Sequence, residues 1–258
     1  LYIIVPLASG TTQMLFRGIA IVNIGVSLSL LFALLNIQFA HEVALQEKEK
    51  ELAKQRIDIM LSQIQPHFLY NSLGTIYHLC ETDPERAKKA IKRFSDFLRG
   101  NMESLKNRGT IPFEQELNHV MNYLYLEQQR FGDKLQVIYR IRTTNFLIPS
   151  LTLQPLVENA VIHGLDGCDN GYLCIYAAQK DGVLSISVTD DGCGMSQDMV
   201  DWINSPAPAK RDGHLGLFNV IQILKIYYGE EYGMHAETME DGTTVTLRLP
   251  FRKDVEHE

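Results

Sequence analysis

Three short segments in the C-terminal half of the chain carry residue types suited to a polyphosphate. Leu156-Val157-Glu158-Asn159-Ala160 sets an acid beside an amide on a predicted helix. Asp190-Asp191-Gly192-Cys193-Gly194 ends an alternating run with carboxylates and two glycines. Gly213-His214-Leu215-Gly216-Leu217 opens a further helix with a second glycine pair. An amide oxygen such as that of Asn159 completes the octahedral shell of Mg²⁺, an ion that takes oxygen ligands and keeps waters. A buried carboxylate at Asp190 accepts the exocyclic amino group of adenine, where guanine offers a carbonyl, so the chemistry favours ATP over GTP. Gly192 and Gly194 let the backbone approach closely or turn through positive φ. Gly213 and Gly216 act as hinges of a lid over residues 205–212, and the helix from Leu217 presents free amides to phosphate oxygens. Lys210, Arg211, His163 and His214 are the candidate cations around it.

Upstream, Gln65-Pro66-His67-Phe68-Leu69-Tyr70-Asn71 offers a nucleophile. An imidazole has an unperturbed pKa of ~6.5, so near neutrality it attacks phosphorus without prior deprotonation. It needs the correct tautomer and an in-line approach. Asn71 stands one turn after His67 and can orient the ring or a water. A single helical histidine is more often structural; the surrounding heptapeptide shifts that balance.

These residues must be positioned by a chain of 258 residues, long enough for two modest domains plus one membrane element. The net charge of −7 argues against a nucleic-acid surface, which carries a basic patch. Cys80, Cys168, Cys174 and Cys193 have neither metal-ligand spacing nor the density of a disulfide scaffold, and read as reduced thiols. Residues 18–40 contain no Asp, Glu, Lys or Arg. As a helix rising ~1.5 Å per residue, that run crosses a ~30 Å hydrocarbon layer. Lys48, Lys50, Lys54 and Arg56 follow it and only Arg17 precedes it, which places the C-terminal side in the cytoplasm. Residues 1–17 are expected to be the remnant of an extracytoplasmic segment.

From residue 41 to 64 the chain is charged and free of Gly and Pro, with Leu45, Leu52 and Ile59 at heptad spacing, which suits a short parallel coiled coil. Pro66 kinks or loosens this helix beside His67. Asp83-Pro84 starts a second helix over about 85–104, with Ala87, Ile91, Phe94, Leu98 and Leu105 on one face. A third, over about 113–130, buries Leu117, Val120, Leu124 and Phe131. Beyond Gly132 the period changes to two: strands are expected at 135–141, 172–178, 183–189, 234–239 and 243–249. Helices are expected at 153–163, 197–204 and 217–228, and Asp181-Gly182 and Asp241-Gly242 mark hairpin turns. The pattern is an α/β sandwich with helices on one face of a mixed sheet.

Taken together, residues 64–250 resemble the LytS/YehU group of bacterial sensor histidine kinases, in particular its YesM-like branch. Gln65–Asn71, written out above, is similar to that family's phosphoacceptor box. Pro149-Ser150-Leu151-Thr152-Leu153-Gln154-Pro155-Leu156-Val157-Glu158-Asn159-Ala160 resembles its N box. Asp190-Asp191-Gly192-Cys193-Gly194-Met195 resembles the first glycine box, and Gly216-Leu217-Phe218-Asn219-Val220 the second. Tyr227-Tyr228-Gly229 and Gly242-Thr243-Thr244-Val245 also match. The resemblance implies an α plus α/β architecture: a transmembrane helix at 18–40, a signalling helix and dimeric four-helix-bundle phosphoacceptor region within 41–131, a Bergerat-type (GHKL) ATP-binding α/β sandwich over 132–252, and a tail at 253–258. It implies autophosphorylation of His67 by Mg-ATP and transfer to the aspartate of a cytoplasmic response regulator, by a homodimer in a bacterial plasma membrane. Asn159 would hold Mg²⁺, Asp190 would read adenine, and Thr243 would belong to the nucleotide site. The family commonly has Lys at Ile162, Gly at His214 and Arg at Ile223, so His163 is the expected substitute cation. Other histidine kinases carry an acid directly after the phosphoacceptor where this chain has Phe68, and Glu158 is the nearest motif carboxylate to serve as proton acceptor. The rival readings are an ATPase of the same fold that transfers nothing, with Glu158 activating water, and a receptor or scaffold in which nucleotide only sets conformation.

Overall fold

The computed structural model describes residues 3–15, 21–63, 66–106, 109–164, 170–206, 208–211, 214–239 and 242–251; within these, the side chains of 9, 12–15, 21–23, 49–63 and 105–106 are not described. The chain divides into two compact units, Leu1–Ser62 and Gln63–Glu258.

The first unit is helical. Helix α1 is Ile4–Leu15, in the stretch expected to be an extracytoplasmic remnant, and α2 begins at Ile21 and runs to Gln63. Within α2, Ile24–Lys48 is long and apolar enough to cross a membrane, by length and composition. Ile24, Leu30, Leu34 and Ile37 face outward along it. In water such a surface would cost about 25 cal/mol per Å² of apolar area, which a hydrocarbon environment removes. Leu45 is exposed on the same helix; the side chains of Leu52 and Ile59 lie outside the described ones.

The second unit starts with three helices. Helix α3 begins at Pro66, whose missing N–H costs nothing at a helix start, and ends at Thr82. Ile64 and Gln65, where the kink was expected, lie outside the described residues. Asp83 Oδ1 accepts the N–H of Arg86 at 3.0 Å and caps α4, Pro84–Lys106, as its position before Pro84 predicts. The buried face of α4 is Ala87, Ala90 and Phe97, while Ile91 is half exposed. This differs from the expected stripe because Phe97 turns toward α5, stacking on His119 with centroids 4.9 Å apart. Helix α5, Phe113–Phe131, buries Leu117, Val120 and Leu124 as expected.

The α/β part is a five-stranded sheet in the order β2-β4-β5-β7-β6. Its strands are β2 Leu135–Ile141, β4 Gly171–Lys180, β5 Val183–Asp190, β6 Gly233–Met239 and β7 Gly242–Pro250. β2 runs parallel to β4 and the other neighbours are antiparallel, so the sheet is mixed. Asp181 and Gly182, both at positive φ, make the β4–β5 hairpin turn; Asp241 lies outside the described residues. Along β4 and β5 every second residue is buried (Leu173, Ile175, Ala177; Leu184, Ile186, Val188). Helices α6 (Gln154–Asn159), α7 (Gln197–Asn204) and α8 (Leu215–Tyr228) supply Leu156, Val157, Ile203, Leu217, Val220 and Leu224 to the same core. Two short strands that the sequence pattern misses, β1 (Thr110–Pro112) and β3 (Leu147–Pro149), pair antiparallel beside the stacked rings of Phe113 and Phe146. Three residues with a proline are too few for alternation to register. Cys80, Cys174 and Cys193 are free thiols, and Cys168 and the tail from 252 lie outside the described residues.

Candidate functional site

A cleft of about 210 Å³ opens between α6, the end of β5, α7 and the start of α8. Asn159, His163, Gly164, Asp190, Gly194, Met195, Arg211, His214 and Thr243 are among its lining residues.

Its floor is set by β5 and β7. Alternation along β5 turns Asp190 inward at the last position, where it pairs in register with Thr243. The Asp190 side chain is buried, and Oδ1 accepts the N–H of Gly192 at 3.1 Å. Burial raises its carboxyl above the usual carboxylate range, and the N–H groups of Gly192 and Thr243 draw it partly back. A carboxylate so held has a fixed direction, which an exposed acidic turn lacks.

One wall is α6 and the turn of π-helix that continues it, Ala160–Gly164. π-Helical turns cluster at functional sites because they re-aim side chains. Here the turn brings Gly164 against two neighbours. A methyl group on Gly164 would meet Asp190 Oδ1 at 2.5 Å, and one on Gly192 would meet the Gly164 carbonyl oxygen at 1.5 Å. Cys193 N–H donates to that same carbonyl at 3.2 Å. Only glycine allows this approach, so the N-box helix and the first glycine loop are locked together through backbone. Gly194, at φ +75°, turns the chain back so that Met195 N–H reaches Thr238 Oγ1 at 2.8 Å.

The start of α6 is held by a residue that carried no signal in the sequence. Glu116 on α5 is fully buried, and its two carboxylate oxygens accept the N–H groups of Leu151 at 3.1 Å and Leu153 at 3.0 Å. Leu151 sits at φ +58°, a strained conformation for leucine. Burial pushes the Glu116 carboxyl up, and the surrounding N–H groups of residues 151–154 oppose that shift.

The opposite wall is the stretch before α8. Arg211 Nη2 donates to Asp198 Oδ2 at 2.8 Å, and Trp202 Nε1 donates to the Ala209 carbonyl at 2.7 Å. Lys225 Nζ donates to the carbonyl of Pro206. His214 and His163 face each other with ring centroids 6.0 Å apart. Burial, and then the charges of His163 and Arg211, lower the His214 pKa. Gly213 and Asp212 lie outside the described residues. Gly216 and Leu217 do not line the cleft; Leu217 is buried in the core, and Gly216 packs near Pro155.

The other two chemical candidates stand elsewhere. His67 is exposed on α3, with Asn71 Nδ2 3.3 and 3.2 Å from its two ring nitrogens. Glu158 does not line the cleft. Its Oε1 accepts from Gln154 Nε2 at 2.6 Å. Burial raises its pKa to about 7, with the Glu127 charge adding to the rise.

Two family models match this layout in chain order. The histidine kinase model covers residues 55–135, and the model of histidine kinase-, DNA gyrase B- and HSP90-like ATPases covers residues 148–253. The sensor histidine kinase YpdA of Escherichia coli is 37% identical over 215 residues, 82% of this chain and 37% of that protein. The chain belongs to the histidine kinase family. Another relative, the sensor protein LytS of Streptococcus mutans, is 33% identical over 82% of this chain and 37% of its own length. The chain thus spans well under half the length of these two relatives. Among solved structures, the histidine kinase domain of a blue-light activated kinase from Erythrobacter litoralis is 15% identical with a TM-score of 0.44, covering 72% of this chain and 93% of that one.

Within this member of the histidine kinase family, Asn159, His163, Asp190, Gly194, His214 and Thr243 share one cleft, and Gly192 packs against the Gly164 carbonyl beside it. Met195, Met199 and Gly164 line it without having stood out as site residues in the sequence. The GHKL-type domain is the ATP-binding module of the family.

Proposed function

We propose that this protein is a sensor kinase that phosphorylates itself on His67 and passes the phosphoryl group to an aspartate of a response regulator. The observation that carries the reading is the single cleft joining the buried Asp190 carboxylate to Asn159, to the Arg211 guanidinium and to the imidazoles of His163 and His214. Asp190 accepts the adenine amino group. Arg211 and the two histidines face the phosphates, which answers the apolar Ile162 and Ile223.

Among the described residues no group of three or more His, Cys, Asp or Glu forms a metal cage. A single amide oxygen from Asn159 suits Mg²⁺, which takes few protein ligands and binds chiefly through substrate phosphates and waters. When bound, the ion neutralises phosphate charge. The protein's own work is positioning: it holds the nucleotide by its base and presents an imidazole in line with the γ-phosphorus.

Tyr70, Leu73 and Tyr77 form an exposed apolar stripe on α3, with Ile91 and Met102 exposed on α4. This surface supports a homodimer whose α3 and α4 helices make a four-helix bundle. The apolar span Ile24–Lys48, with basic residues at its C-terminal end, supports a place in a bacterial plasma membrane with the kinase region in the cytoplasm. The test is incubation with γ-labelled ATP and Mg²⁺ followed by acid and alkali. Label that is lost in acid and stable in alkali supports a phosphohistidine, whereas phosphate release without labelled protein favours the ATPase reading.

A further inference from the structure

The N-box helix is gripped from outside by one buried histidine. On α5, His119 is 6% exposed, and its ring lies flat on Phe97 of α4, with centroids 4.9 Å apart and planes 5° off parallel. Phe97 in turn meets the ring of Phe68, the neighbour of His67, at 4.9 Å. The edge of the imidazole is wedged as well: a methyl group on Gly100 would stand 2.3 Å from Nδ1. So fixed, the ring points Nε2 at two amide oxygens, Gln154 Oε1 at 2.7 Å and Asn101 Oδ1 at 3.2 Å.

Each link of this chain has a direction. Gln154 Nε2 donates to Glu158 Oε1 at 2.6 Å, which turns the amide oxygen of Gln154 back toward His119. An oxygen there requires the ring proton on Nε2. Burial lowers the His119 pKa, against the hydrogen bond to Gln154, so the ring is neutral and its N–H is the one at Nε2. His119 Nδ1 and Asn101 Nδ2 are buried with no hydrogen-bond partner among the described residues. A chain that leaves two buried polar atoms unmatched adds little stability. What it supplies is direction.

From this geometry we infer that His119 is a positioning residue: by holding Gln154 it sets the rotation of α6 and so aims Asn159 at the Mg²⁺ of the bound nucleotide. The inference rests on the nucleotide reading above. Glu116 fixes where α6 begins, through the N–H groups of Leu151 and Leu153. Leu156 and Val157 bury its apolar side. Apolar contacts tolerate a small turn of the helix, whereas a hydrogen bond weakens steeply with angle. Asn159 follows Gln154 on α6 and stands about 140° from it around the helix axis. A turn that breaks the bond to His119 therefore swings Asn159 through the same angle in the cleft it lines.

The experiment measures the affinity of the full chain in detergent for a fluorescent ATP analogue, in EDTA and then across a Mg²⁺ titration. His119→Phe keeps a flat ring on Phe97 and removes the donor. His119→Gln places an N–H where Nε2 stood and gives up the ring. His119→Phe is expected to raise the Mg²⁺ concentration for half-maximal binding at least about fivefold, with affinity in EDTA within about twofold, and His119→Gln to recover most of that loss. Gln154→Leu cuts the same link from α6, serves if His119→Phe does not fold, and is expected to match it. A wild-type Mg²⁺ requirement in His119→Phe or Gln154→Leu overturns the inference. So does a loss shared equally by the Phe and Gln variants, or a parallel loss of affinity in EDTA, because either marks a packing role. Nucleotide binding by the wild type that ignores Mg²⁺ would instead count against the metal role of Asn159 itself.

Discussion

The backbone of Gly192 presses on the carbonyl of Gly164: a methyl group added to Gly192 would stand 1.5 Å from that oxygen. Two motifs separated in sequence are thus joined at one point of the nucleotide cleft. Gly192→Ala forces them apart, and the expected cost is about 2–4 kcal/mol of stability with ATP affinity reduced at least about tenfold. Thermal unfolding and titration with a fluorescent ATP analogue measure both. Gly74→Ala, a helical position with nothing within 4 Å, is the comparison and is expected to be neutral or stabilising. Wild-type affinity in Gly192→Ala would remove the backbone contact from the binding site.

Asp190 is buried with its carboxylate aimed by Gly192 and Thr243. Asp190→Asn preserves volume but replaces an acceptor oxygen by a donor. ATP binding is expected to weaken about 10–100-fold, or about 1.4–2.8 kcal/mol, and the preference for ATP over GTP to narrow. Calorimetric titration of both nucleotides reads this directly, and an unaltered ATP constant would take Asp190 out of base recognition.

Glu116 closes the N-terminal end of α6 with two backbone hydrogen bonds from Leu151 and Leu153. Glu116→Gln turns an amide donor toward those N–H groups, leaving buried donors unmatched. The expected loss is about 2–3 kcal/mol, read by denaturant unfolding. A change below about 0.5 kcal/mol would mean that the strained loop at Leu151 holds itself.

Glu158 titrates near 7 in the folded protein, against 4.5 for a free carboxyl. Between those values the folded state binds the extra proton. Stability from this group is therefore full below about pH 4.5 and falls as pH rises through about 7. Glu127 and Glu116 are also raised by burial and act in the same direction, whereas His119, lowered by burial, loses stability as pH falls below its ordinary value. Comparison with Glu158→Gln isolates the first effect. The wild type is expected to lose on the order of 1–3 kcal/mol relative to the variant between about pH 5 and pH 8. Parallel pH profiles of melting temperature in the two proteins would contradict the shift.

Much of this architecture is legible before any coordinates. The period-two runs of β2, β4 and β5, the Asp181-Gly182 turn and the Asp83-Pro84 helix start are local signals, and each appears where its chemistry places it. The cleft residues Asn159, Asp190 and Gly194 announce themselves by motif. What stayed hidden depends on contacts between distant segments. Glu116, His119 and Glu127 look like ordinary polar positions of a helix, and only the packing of α5 against α3 and α6 makes them buried. Gly164 likewise carries no signal until the π-helical turn brings it to Asp190. Ile91, expected on the buried face of α4, is half exposed because amphipathic spacing marks an apolar face without saying how much of it is covered within the chain.

The most direct test of the whole reading is labelling of His67→Gln from γ-labelled ATP, beside the wild type and with ATP affinity measured on the same samples. No acid-labile label, at unchanged affinity, is the predicted result. Label that persists in the variant would contradict the assignment of His67 as nucleophile and send the phosphoryl group elsewhere.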